Sequence, residues 1–161
     1  MPVRIYLHVH KDNPAGYGPV GWACLIEQEG KSHYISGNTI TSGPKGGLLA
    51  AIKALKTVKG TGQDIIVNTT DSYLAIVLKY CPRWKGNDWI IPSSGNAAAN
   101  IELLDQLVPL IMRHGFIRIH PNKPSKSLIK TAKKERDRIK TSQPYKSFPK
   151  ERTRQGSLFL R

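Results

Sequence analysis

The sequence predicts an α/β domain, with a five-stranded mixed sheet of an antiparallel meander plus two parallel strands, flanked by helices. Three observations lead there. Residues 3–39 hold three strand-like runs separated by short stretches of turn chemistry, the pattern of a meander. Two more short apolar runs, Ile65-Ile66-Val67 and Phe116–His120, each follow a segment of helical periodicity. A strand reached through a helix is most simply a parallel neighbour, because an antiparallel partner needs only a hairpin.

The elements follow in order. Val3–His10 alternates, with Val3, Ile5, Leu7 and Val9 on one face and Arg4, Tyr6, His8 and His10 on the other. Residues 11–18, KDNPAGYG, read as turn throughout. Gly21–Gln28 is a second strand, Glu29-Gly30 with Lys31 a hairpin turn, and His33–Thr39 a third strand with a bulge expected at Gly37. Residues 41–45 read as a loop. Gly46–Val58 is a helix with Leu48, Leu49, Ile52 and Leu55 on one face, stopped by Gly60-Thr61-Gly62. After the Ile65 strand, Tyr73–Leu78 is helical, and residues 81–91, CPRWKGNDWII, read as a loop with two tryptophans and two basic residues. Ala97–Met112 is a third helix with an apolar stripe of Ile101, Leu104, Leu107 and Ile111. Leu128–Ile139 is a basic helix with Leu128, Ile129, Ala132 and Ile139 available for packing. From Thr141 the mixture of Pro, Ser, Lys and Arg predicts disorder. The expected organisation is a domain over residues 1–140 and a basic disordered tail over residues 141–161.

The net charge of +14 implies a polyanionic partner, most often nucleic acid. Residues 121–161 carry +10 of it and the first 120 residues +4. Cys24 and Cys81 have no paired or metal-ligand spacing and read as core residues in a reducing cytoplasm. No apolar run approaches membrane-spanning length and no signal-peptide pattern is present, so no membrane association is expected.

One stretch carries chemistry. The apolar run Ile65-Ile66-Val67 reaches Thr69-Thr70-Asp71-Ser72 and turns at once into a helix. Such a hinge commonly mounts a functional carboxylate, yet Asp and Ser are also favoured helix caps. Both readings of Asp71 stand on these residues alone.

The order of elements, with Thr70-Asp71-Ser72 after an apolar strand, resembles ribonuclease H of the type I family over about residues 3–132. Residues 48–55, LLAAIKAL, are similar to that family's first helix, and Asn13-Pro14 with the following glycines to its first turn. Arg83, Trp84, Lys85 and Trp89 stand where many members carry a basic, tryptophan-rich handle that grips the hybrid. The resemblance implies a ribonuclease H-like fold and a metal-binding role for Asp71. The family's nuclease holds two divalent cations with four carboxylates, and hard cations need such oxygen ligands. Here His8 occupies the first-strand carboxylate position, Gly47 that of the helix, and Ile129 or Lys130 that of the last helix. The loop that carries a mobile His in the family is reduced to residues 121–124, PNKP. Three of the four acids are therefore replaced.

Two consequences are expected. The first is a pseudoenzyme, with no cofactor, whose less acidic groove holds a duplex, an RNA/DNA hybrid, double-stranded RNA or DNA. Its contacts would come from Asn13, Lys45, the bare N–H groups of Gly46 and Gly47 at a helix start, Arg83, Trp84, Lys85, Trp89, Lys123 and Lys126. The second is an active nuclease whose rebuilt site of His8, His10 and Asp71, with Asp12 able to join, takes Mg²⁺, Mn²⁺ or Zn²⁺. A third class is a protein-interaction adaptor in a replication or mobile-element complex. It draws on the terminal residues 155–161, QGSLFLR, which resemble the peptide that docks bacterial replication proteins on the DNA sliding clamp. Gln155 would orient that peptide, and Leu158 and Phe159 would anchor it.

Overall fold

A computed structural model describes residues 1–12 and 16–140. The chain runs β1 (Val3–Lys11), β2 (Tyr17–Gln28), β3 (Lys31–Ser42), α1 (Gly43–Thr57), β4 (Asp64–Asn68), α2 (Ser72–Gly86), α3 (Ile101–Met112), β5 (Phe116–His120) and α4 (Lys126–Lys140). The strands lie in the order β3-β2-β1-β4-β5. β1, β2 and β3 form the antiparallel meander, and β4 is parallel to both β1 and β5. This is the mixed sheet that the sequence predicts.

Alternation along β1 divides the molecule into two layers. Val3, Ile5 and Leu7 face the main core, where Leu48, Ile52 and Leu55 of α1, Leu74 and Val77 of α2, and Leu104 and Leu107 of α3 close over the sheet. Tyr6 faces the opposite layer, where Leu128 and Ala132 of α4 pack on Ala23 with Leu25 beside them. α4 lies very close to β2. A Cβ at Gly21 would stand 2.1 Å from the Ala132 carbonyl oxygen and 2.3 Å from the Arg136 nitrogen.

Several boundaries differ from the sequence reading, each for a physical reason. β2 starts at Tyr17 and β3 continues to Ser42, because the register carries on to pair Tyr17 with Ser42. α1 therefore begins at Gly43, inside the stretch read as a loop, with Pro44 in its first turn, where a missing N–H is harmless. The bulge expected at Gly37 does not form. Gly37 pairs in register with Trp22, and a Cβ there would meet the Trp22 ring at 2.5 Å. Leu49 is only half-buried and sits at the rim of a groove with Ile35.

Residues 81–86 continue α2 rather than opening a loop. Cys81 and Trp84 extend the buried stripe of Leu74, Val77 and Leu78 by one and two turns, and that burial outweighs the helix interruption at Pro82. α3 begins at Ile101 rather than Ala97, because Asn100 takes a left-handed conformation with φ 60°. Its stripe is then Leu104, Leu107 and Val108, with Ile101 at the surface. No helix among the described residues is long and apolar enough to cross a membrane.

His114, at the end of α3, is buried. Its Nδ1 accepts from the Gln63 N–H at 3.4 Å, and its Nε2 has no partner among the described residues. Burial first, and neighbouring Arg113 second, hold its pKa below the ordinary histidine value. The unfolded chain thus binds a proton that the folded chain refuses. Stability from this group is full above about pH 6.5, the ordinary histidine value, and falls as pH drops from there toward the folded pKa. His8 and His10 shift in the same direction. We expect the urea midpoint to rise from acid to neutral pH, and to rise less in His114→Phe; parallel profiles would locate the dependence elsewhere.

Candidate nucleic-acid interface

The chain winds outward from β1 to β3, then returns to the other side of β1 as β4. The C-terminal ends of the parallel pair β1 and β4 therefore flank the point where the winding reverses, where open α/β sheets place their ligands. A cleft of about 290 Å³ opens there, lined by Leu7, His8, Val9, Lys11, Thr69, Thr70, Asp71 and Ser72.

The floor is fixed by polar residues at the end of β4. Buried Asn68 donates to the Ile5 carbonyl at 3.3 Å and accepts from the Asn122 amide at 2.7 Å. The Thr69 N–H donates to the His120 carbonyl at 3.0 Å. β1, β4 and the segment after β5 are thus tied together just beneath the cleft.

Asp71 is the cap of α2. Its Oδ1 accepts from the Leu74 N–H at 3.1 Å, and its own N–H donates to Thr69 Oγ1 at 3.1 Å. A cap of this kind is worth about 1 kcal/mol. Oδ2 is buried without a hydrogen-bond partner among the described residues. It faces Gly47, where a Cβ would stand only 2.8 Å away. The neighbouring Gly46 is equally closed, since a Cβ there would meet Val20 at 2.5 Å and Val9 at 3.3 Å. These glycines therefore do not offer bare N–H groups to a phosphate, as the sequence suggested. They lie one turn into a helix that starts at Gly43, and both are buried.

With this geometry in place, the comparisons are decisive at the level of family. No family model matches the chain. A ribonuclease H of Syntrophomonas wolfei is 31% identical over 100 residues, covering 60% of this chain and 68% of the relative. One of Xanthomonas campestris is 31% identical over 117 residues, covering 68% and 75%. The chain belongs to the ribonuclease H family. The crystal structure of a ribonuclease H1 in complex with an RNA/DNA hybrid superposes with TM-score 0.58 at 15% identity, over 86% of this chain and 99% of that one.

Against the donor set that the ribonuclease H resemblance implies, this site does not fit two divalent cations. Asp71 brings one carboxylate, half used as a cap. No group of three or more His, Cys, Asp and Glu side chains among the described residues is placed to hold a metal ion. Of the three residues of the rebuilt site, His8 and Asp71 line the cleft together and His10 does not. His8 and His10 share a face of β1 with ring centroids 6.3 Å apart, whereas the Asp71 Oδ2 points at α1. His8 lines the cleft, and burial, then His10, lower its pKa. His10 lies toward α4, where burial, then Arg136 and Lys133, lower its pKa against the opposing pull of Asp12 and Asp137. Asp12 pairs with Arg136.

The handle is also altered. Trp84 is 6% exposed and belongs to the core, so it is not available for stacking on a base. Trp89 is half-buried. Lys85 pairs with Asp105 at 2.7 Å, and exposed Arg83 lies 5.7 Å from the Tyr80 ring centroid. Lys45, Lys123 and Lys126 are exposed. Asn13 and the tail residues Gln155, Leu158 and Phe159 lie outside the described residues. The sequence reading marks Thr69, Thr70 and Ser72 as the polar turn around Asp71 without a role of their own, and misses Lys11 and Asn68. The signal for Asn68 is its place directly after an apolar run, at the head of that polar turn.

The contact between Gly47 and Asp71 predicts a coupled pair. Asp71→Ala should destabilise by about 1 kcal/mol through loss of the cap. Gly47→Ala should gain little in the native chain, since the new Cβ displaces the capping carboxylate. In the Asp71→Ala background it should stabilise by about 1 kcal/mol, the ordinary helix preference for Ala over Gly. Urea unfolding of all four proteins measures the coupling, and strict additivity would remove the steric argument.

Proposed function

We propose that the cleft at the ends of β1 and β4 holds the backbone of a nucleic-acid duplex, and that this member of the ribonuclease H family has lost two-metal phosphodiester cleavage. The observation that carries this reading is the 2.8 Å approach between the Cβ position of residue 47 and Asp71 Oδ2. From that helix position the family reaches its metals with a carboxylate. Here the position has no side chain, and a Cβ would have to displace the Asp71 carboxylate. Restoring the acid requires moving either α1 or the cap of α2.

The chemistry that remains favours binding. Lys11 brings a cation to the cleft, and Thr70 and Ser72 bring hydroxyl groups, while the missing acids leave less charge to repel a phosphate. Lys45 on the first turn of α1 and Arg83 on α2 extend the positive surface, and Trp89 can still offer an edge to a base. An RNA/DNA hybrid is the first duplex to test, because a ribonuclease H1 of similar fold was crystallised with one. Double-stranded RNA and DNA are the other candidates. Through Gln155, Leu158 and Phe159 we also propose docking on a DNA sliding clamp.

The test is a hybrid-cleavage assay in Mg²⁺, Mn²⁺ and Zn²⁺, run beside a binding titration. Native protein should bind the hybrid with steep salt dependence and leave it intact in every metal. Metal-dependent cleavage that vanishes in both His8→Ala and Asp71→Asn would overturn the reading in favour of a rebuilt active site. Removal of residues 155–161 should abolish capture by a purified clamp and leave hybrid affinity within about twofold, since it removes one of the many phosphate-binding cations; capture that persists refutes the clamp motif.

A further inference from the structure

We propose that the outward face of α4 is a second contact surface for a nucleic-acid backbone, made by Lys126, Lys130 and Lys134 with Lys133 beside them. α4 packs on β1, β2 and β3, in the layer opposite α1, α2 and α3. Gly21 lets it sit so close to the sheet that a narrow stripe of Leu128, Ala132 and Ile139 suffices to hold it. Buried Glu135 and Arg136 flank that stripe, and the far side of the helix is surface.

The charges on that helix are sorted. Its two acids are both engaged. Glu135 is buried and accepts from Ser36 Oγ and Asn38 Nδ2, with Arg138 also on its carboxylate. Asp137 is held by Arg136. Lys126, Lys130, Lys133 and Lys134, by contrast, are exposed, and no ion pair to a described residue is formed by any of them. Lys126, Lys130 and Lys134 recur every fourth residue, so they stand on one side of the helix, one above the other. Like charges at that spacing weaken a helix. A helix that needed only solubility would intersperse the two signs. This one buries Glu135, pairs half-exposed Asp137 with Arg136 and leaves the lysine repulsion outside, an arrangement a polyanion would relieve.

The spacing fits a phosphate chain. Four residues of helix rise about 6 Å, so the row spans about 12 Å, the axial length of three to four phosphates on one strand of a duplex. Recognition would be independent of sequence, because lysines on a convex helix reach phosphates and not base edges. The surface stands on α4 alone and does not require the cleft to bind.

The test uses the full chain with Lys126→Gln, Lys130→Gln and Lys134→Gln combined, and Lys11→Gln as the cleft comparison. Binding of a short RNA/DNA hybrid and of a DNA duplex is followed by fluorescence anisotropy across a salt series. The triple variant should lower affinity for both duplexes and flatten the slope of log affinity against log salt by about 2 to 3, at close to one unit for each phosphate no longer neutralised. In the native chain the duplex should protect the three lysines from acylation, read by mass spectrometry. Unchanged slope and unprotected lysines would overturn the proposal and leave the row a solvated ridge. Binding to phosphatidylserine vesicles that the triple variant loses, with duplex affinity intact, would overturn it in favour of a membrane surface. Duplex binding lost in Lys11→Gln but kept in the triple variant overturns this surface and spares the cleft. A native chain with no salt-dependent binding to either duplex overturns both.

Discussion

The seating of α1 against the ends of β1 and β4 is the constraint on which the rest depends. β3 passes into α1 without a loop, and the Gly43 N–H donates to the Gly16 carbonyl at 3.2 Å. The first turn is thereby pinned beside the start of β2. Gly46 and Gly47 then enter space beside Val20, Val9 and Asp71, where a Cβ would crowd the valines at 46 and displace the capping carboxylate at 47. Two glycines weaken the helix by about 2 kcal/mol relative to alanines. Leu48, Ile52 and Leu55, all but fully buried just beyond them, supply about 1.5–3 kcal/mol each and more than offset that loss. The same seating sets residue 47 directly against the Asp71 carboxylate.

The opposite layer repeats this logic. At Gly21 the backbone of β2 meets the backbone of α4, and the closeness leaves little height for side chains between them. Small residues, Ala23 and Ala132, meet there. Longer polar groups are pushed to the flanks, where Glu135 finds Ser36 and Asn38, and Arg136 finds Asp12. Burying the Glu135 carboxylate opposes its ionisation, but the Ser36 and Asn38 donors and the Arg138 charge prevail and hold its pKa below the ordinary glutamate value. One pleated strand, β1, thus feeds two layers with separate tasks, apolar toward α1 and polar toward α4.

Much of this was legible in the sequence, where periodicity carried it. The alternation of β1, the short apolar runs of β4 and β5, and the apolar set of Leu128, Ile129, Ala132 and Ile139 pointed to the mixed sheet and the last helix, although Ile129 stays exposed. What failed were places where a distant contact overrides local chemistry. Residues 81–86 contain a proline and read as loop, yet Trp84 lies two turns beyond Val77 on the stripe begun by Leu74, and its burial extends the helix. Gly46-Gly47 looked like an open helix start because nothing local reveals that Val20 and Asp71 fill the space beside them. The set of His8, His10 and Asp71 was plausible from strand adjacency, but adjacency does not say which way the Asp71 carboxylate turns. That is decided by the Leu74 N–H.

The turned carboxylate also bears on what the cleft can attract. Asp71 Oδ1 is engaged with the first turn of α2, and Oδ2 is enclosed against Gly47. The positive end of a helix carries about half an elementary charge and favours an anion just there. The carboxylate is therefore offset by α2 and shielded from an incoming phosphate by the backbone of α1. It also occupies the N-terminal site of α2 that would otherwise be open to that phosphate. The field in the cleft is left to Lys11, with His8 biased toward its neutral form. A single lysine gives modest, sequence-independent attraction, so tight binding must draw on cations beyond the cleft, and the excess positive charge of this chain lies there, after residue 120.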